Sequence, residues 1–190
     1  MENTLKNMVL SLLGVTLVCS ASVAVVQGVT LEPIAKAQEA ATKRALAEVL
    51  PEFDESSMKT KEMNGRTVDL YTATSGGEVV GYAVKSFTNM GYSGEIVVMV
   101  GIAPDGELLN ASVLKHSETP GLGSELTKPN NVVLESLKGR QLTSDDNLMV
   151  SKDGGDVDAL SGATISSRAY IDAIERAYDA VGKSIKKGRK

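Results

Sequence analysis

The stretch Glu95-Ile-Val-Val-Met-Val-Gly-Ile-Ala-Pro-Asp-Gly-Glu-Leu-Leu-Asn-Ala-Ser-Val-Leu-Lys115 reads as two strands joined by a tight turn. Ile96 to Ile102 is rich in β-branched residues, which suit a pleated, buried surface. Pro104-Asp-Gly106 carries the turn chemistry, because proline presets φ and glycine tolerates positive φ. Upstream, residues 66–74 and 78–87 read as a second pair around Ser75-Gly-Gly77. Gly91-Tyr-Ser-Gly94 breaks the chain between the two pairs. Four strands on short turns predict a twisted, mostly antiparallel sheet packed against helices on one face, an α+β domain.

Outward from the sheet, the period changes from two to 3.6 residues. Residues 30–50 read as a helix, with Pro33 early in it and Pro51 ending it. This helix continues from, or hinges on, the apolar segment before it. Residues 51–65 are polar and read as loop, with a short element around Met58. Beyond the sheet, 129–138 reads as a short helix and 148–151 as a last short strand. A closing helix follows, with Tyr170, Ile174, Ala177, Tyr178, Val181 and Ile185 at helical spacing. The expected organisation is a tail and anchor (1–31), a linker helix and loop (32–65) and a folded domain (66–190).

From Asn7 to Leu31 no residue is charged. An apolar helix of about 20 residues spans the hydrocarbon of a bilayer. Lys6 precedes this segment and Glu32 follows it, so the positive-inside rule keeps the N-terminus cytoplasmic and places the rest on the extracytoplasmic side. A cleaved signal peptide ending near Ser22-Val-Ala24 is the rival reading, but the apolar run continues past that site. The 190 residues carry a net charge of −4, which points away from nucleic acid as a partner. The basic residues at the C-terminus (Lys183, Lys186, Lys187, Arg189, Lys190) suit the end of a helix. One cysteine, Cys19, and one histidine, His116, leave no material for a thiolate cluster or a histidine-rich metal site. Redox chemistry in this chain therefore has to come from a bound cofactor.

Asp158-Ala-Leu-Ser-Gly-Ala-Thr164, followed by Ile165-Ser-Ser-Arg168, sits immediately before the closing helix. Helix starts present free N–H groups and the positive end of the macrodipole, which favour an anion near Thr164. Ser and Thr at this place also cap helices, and on spacing alone capping is the plainer reading. Earlier, Glu118-Thr-Pro-Gly-Leu-Gly123 combines proline and two glycines, which suits a loop with special backbone angles. An ordinary loop is the plain reading; a slot for a flat ring, with Leu122 against one face, is the sharper one. Tyr92 reads as a turn residue and His116 as a strand-end residue.

The wording of these two segments resembles the FMN-binding domain family. The match is residue by residue at Asp158, Ser161, Gly162, Ala163 and Thr164, and again at Glu118, Thr119, Pro120, Gly121, Leu122 and Gly123. The resemblance implies FMN carried on Thr164 through a phosphoester bond, attached by a separate flavin transferase, with the 118–123 loop beside the ring. Ser167 and Lys152 are further candidate contacts, Lys152 as a cation that favours the anionic reduced flavin. With one apolar anchor ahead of the domain, the chain is also similar to the G-subunit family of Rnf complexes. That similarity implies a membrane ferredoxin:NAD oxidoreductase coupling electron flow to Na+ or H+ translocation. The other membrane subunits would be its partners, and lipid would surround the anchor. The C subunits of sodium-pumping NADH:quinone reductases share the motif but are longer, and a membrane-anchored FMN reductase is a further alternative. A scaffold with a capped helix and no cofactor is the alternative from a different class.

Overall fold

The computed structural model describes residues 2–63, 65–143 and 146–188. In order, the elements are α1 (Glu2–Val49), β1 (Glu55–Met63), β2 (Arg66–Ser75), β3 (Glu78–Gly91), β4 (Gly94–Ile102) and β5 (Leu108–Lys115). A 3-10 turn (Gly123–Thr127), α2 (Val132–Leu137), a second 3-10 turn (Ser151–Asp153) and α3 (Thr164–Gly188) follow. The chain divides into two compact units between Ala41 and Thr42.

The first unit lies within α1. Its apolar side chains are exposed, Leu10 and Val18 by about two thirds. Among the described residues this is the one helix long and apolar enough to cross a membrane. Pro33 lies inside α1 rather than at the start of a second helix.

In the second unit, β1 to β5 form an antiparallel meander in chain order. One face, carrying Val84, Val98, Val100 and Ile102, packs against Tyr170, Ile174, Ala177, Tyr178 and Val181 of α3. Each is at most 1% exposed, so the face predicted from the 3.6-residue period is the buried one. Buried tyrosines need a partner for their hydroxyls. Tyr170 donates to the Ala111 carbonyl (3.2 Å) and Tyr178 to the Gly106 carbonyl (3.0 Å). Burial pushes both phenols well above their ordinary pKa.

Three expectations are corrected. Helices cover both faces of the sheet, not one. The last turns of α1 place Ala45, Leu46, Val49 and Leu50 against Ala73, Ala83 and Met99 on the far face. Gly101 on β4, which has no side chain, lets the Val49 backbone come close. Residues 51–65 are not mainly loop, since β1 pairs with β2 from Glu55↔Thr74 to Met63↔Arg66. From Glu55 to Thr60 every residue of β1 is exposed, so no alternation of burial marks it in the sequence. Its lysines suit an edge that must not recruit another strand. Residues 148–151 form no strand; Val150 makes a single parallel bridge to Val157 and the chain turns at Ser151. The short helix expected at 129–138 is narrower, capped by Asn131, whose side chain accepts from the Leu134 N–H (3.0 Å). Of the basic C-terminal residues, Arg189 and Lys190 lie outside the described residues.

Candidate functional site

Helix α3 starts at Thr164, and the turn before it explains the motif residue by residue. The Ala163 N–H donates to the Leu160 carbonyl (3.1 Å), closing a four-residue turn. Gly162 is its third residue with φ +73°, the left-handed position that a type II turn reserves for glycine. Ser161 is the exposed second residue. The Ala163 carbonyl accepts the first helical bond, from the Ser167 N–H (3.0 Å). The fully buried Ser167 hydroxyl donates to the same carbonyl and accepts from the Leu160 N–H, both at 3.0 Å. Ser167 therefore fastens the turn from beneath.

The loop after β5 uses the same device. The Leu122 N–H donates to the Thr119 carbonyl (3.2 Å), with Pro120 and Gly121 between them and Gly121 at φ +75°. The turn raises Leu122, which is 44% exposed. Gly123 serves a different need. A Cβ there would lie 2.5 Å from both the Glu118 Oε2 and the Ser166 Oγ. Its missing side chain makes room for a contact between loop and helix.

That contact is the keystone. Glu118 is 5% exposed. Its Oε1 accepts from the Ser93 N–H (2.9 Å) and its Oε2 from the Ser166 hydroxyl. One carboxyl thus joins the β3–β4 turn, the 118–123 loop and the first turn of α3. Glu118→Ala leaves two donors without their acceptor and is expected to cost about 2–4 kcal/mol, with Glu118→Gln losing less. Urea unfolding of the two variants checks this; equal stability of wild type and Glu118→Ala would remove the keystone role.

Between these elements lies a cleft of about 530 Å³. Tyr92 lines it from the β3–β4 turn, Glu118, Thr119, Leu122 and Gly123 from the loop, and residues 162–166 from the start of α3. The volume falls in the range of small-molecule sites, about 300–1,000 Å³. Its walls combine apolar surface (Tyr92, Leu122, Ile165) with the half-buried Thr164 hydroxyl. Lys152 Nζ donates to Thr164 Oγ1 (3.1 Å). Of the residues singled out in the sequence, Glu118, Thr119, Leu122, Gly123, Gly162, Ala163 and Thr164 meet here. Pro120, Gly121, Ser161 and Ser167 shape the two turns without lining the cleft. Asp158 is exposed, and its N–H donates to Ser136 Oγ (3.1 Å). Tyr92, Ile165 and Ser166 also line the cleft, without a sequence signal that singles them out. Tyr92 stands in an exposed glycine-flanked turn, and Ser166 reads as an ordinary helix residue until Glu118 is placed against it.

The profile of the FMN-binding domain family matches residues 91–179, which span every segment of the cleft. The profile of the RnfG N-terminal region matches residues 1–49, the whole of α1. The G subunit of the ion-translocating oxidoreductase complex of Shewanella loihica is 34% identical over 179 residues, covering 87% of this chain and 84% of that protein. The chain belongs to this G-subunit family. The corresponding protein of Shewanella amazonensis is 33% identical over 191 residues, covering 92% and 86% of the two chains. That of Vibrio cholerae is 40% identical over 119 residues, covering 61% and 56%.

Membership gives the domain its cofactor class, because the profile that spans the cleft is that of an FMN-binding domain. The residues present fit that group. FMN needs an anchor for its phosphate and a slot for a flat ring. Thr164, at the first turn of α3, offers the former; Tyr92, Leu122 and Ile165 offer apolar walls for the latter.

Proposed function

We propose that this chain is the electron-carrying subunit of a membrane-bound, Rnf-type ferredoxin:NAD oxidoreductase complex that couples electron flow to Na+ or H+ translocation. In this reading FMN is joined to Thr164 through a phosphoester bond. The observation that carries it is the Thr164 hydroxyl, half-buried in the cleft wall at the head of α3. Bound FMN supplies one- and two-electron transfer; the chain's own residues hold and shield it. Thr164 fixes the phosphate end, and its attachment removes dissociation of the carrier. Leu122 and Tyr92 flank the slot, and Glu118 keeps loop and helix at a fixed separation.

The partners follow from the same reading. Helix α1 sits in lipid as a single span, and the sheet unit lies on the extracytoplasmic side. Its apolar segment holds no charged residue from Asn7 to Leu31, so the translocated ion passes through other membrane subunits of the complex. A flavin transferase matures the protein.

The test is the intact mass of the denatured full chain after expression with a flavin transferase. The expected result is an increase equal to FMN less one water. An unmodified mass, with the transferase active on a control substrate, overturns the covalent reading.

A further inference from the structure

We propose that Lys152 is the counter-charge for a phosphodiester on Thr164, held in place by a loop built to present it. This assignment rests on the flavin reading above. The loop runs from Met149 to Val157 and is tied at both ends. Val150 bridges Val157, and the Ser151 N–H donates to the Val157 carbonyl (2.8 Å). Gly154 turns the chain at φ +88°. A Cβ on Gly155 would overlap the Met149 carbonyl and lie 2.7 Å from the Met149 side chain. The loop therefore closes more tightly than any other residue would permit.

Two adjacent side chains of this loop reach α3. Asp153 pairs with Arg168 through both oxygens, to Nε and Nη2, each at 2.7 Å. The Arg168 guanidinium holds the Asp153 carboxyl below its usual pKa. Arg168 lies four residues after Thr164, on the same face of the helix. Docking Asp153 on Arg168 brings its neighbour Lys152 to Thr164, where Nζ is 3.1 Å from Oγ1. Asp153 is spent on Arg168, and among the described residues Lys152 pairs with no carboxylate. A fixed ammonium thus faces an uncharged hydroxyl, next to the first turn of a helix. The anion that balances it is the phosphodiester that replaces that hydroxyl hydrogen. One cation opposite one singly charged phosphate is complementary, and Lys serves phosphate as a point charge.

The experiment is a thermal cycle on the full chain in detergent. Wild type, Lys152→Gln and Lys152→Arg are each melted without FMN and after complete modification, as verified by denatured mass. The rise in melting midpoint on modification is expected to be smaller in Lys152→Gln than in wild type by about 3 °C, the size of one charge-assisted hydrogen bond in a domain this large. Lys152→Arg retains most of the rise, and high salt narrows the difference. Equal rises in wild type and Lys152→Gln overturn the assignment. Equal rises mean that Lys152→Gln lies as far below wild type before modification as after it, so any contribution of Lys152 is structural. A wild type that gains no mass overturns the flavin reading itself, and the mass distinguishes that failure from equal rises.

Discussion

Thr164→Ala is expected to leave the denatured chain at its unmodified mass under conditions in which the wild type gains FMN less one water. The loss is complete because alanine has no oxygen to esterify. Thr164→Ser keeps the hydroxyl at the same helix position and is expected to be modified. Folding offers no competing explanation for the alanine variant. Thr164 is the first residue of α3, its side chain is only half-buried, and its hydroxyl bonds to the exposed Lys152. Alanine is the best helix former, so the stability cost is about 0.5 kcal/mol or less. Nearby hydroxyls supply an internal control. Ser161 is exposed one turn away, whereas Ser166 and Ser167 are buried and committed to Glu118 and the Ala163 carbonyl. An adduct that persists in Thr164→Ala and maps to the peptide carrying Ser161 would move the attachment point and overturn the Thr164 assignment.

Gly101→Val is expected to destabilise the sheet unit by about 3 kcal/mol or more, which is the upper range for overpacking against a backbone that must move. Gly101 lies on β4, under the last turn of α1. A Cβ there would overlap the Val49 carbonyl oxygen and lie 2.8 Å from its carbon and 2.9 Å from the Val49 Cβ. Neither strand nor helix can yield locally. β4 is paired on both sides, to β3 and β5. Val49, Leu46, Leu50 and Met99 are each less than 9% exposed at this contact. Valine therefore lifts the helix end from the sheet and exposes those side chains. Gly28→Ala is the control, since nothing lies within 4 Å of a Cβ there. Thermal and urea unfolding of the full chain measure both variants. A Gly101→Val protein as stable as wild type would mean that α1 does not dock on β4 at this point.

Much of the fold was legible because its signals are local. The strands from 66 to 115 declared themselves through runs of β-branched residues between turn residues, and their observed limits differ from the reading by a few residues at most. The buried face of α3 followed from its period. Strand β1 was missed because an exposed edge strand buries neither face and leaves no alternation to read. The second helical layer was missed for a different reason. Ala45, Leu46, Val49 and Leu50 announce an apolar face but not what covers it. Only the sheet's far face, where Gly101 leaves room for the Val49 backbone beside Ala73, Ala83 and Met99, shows where it goes.

The same division holds at the cleft. Pro120-Gly121 and Ser161-Gly162 are turn signatures, and the sequence alone determined both turns through the φ that glycine permits. It also determined the single long apolar segment and the threonine at the helix head. The tertiary structure decided which chemistry surrounds that threonine. Glu118 and Ser166 are 48 residues apart and meet across Gly123. Lys152 reaches Thr164 because its neighbour Asp153 is locked onto Arg168. A local pattern fixes backbone angles, whereas these contacts depend on where a completed sheet sets down the ends of its loops.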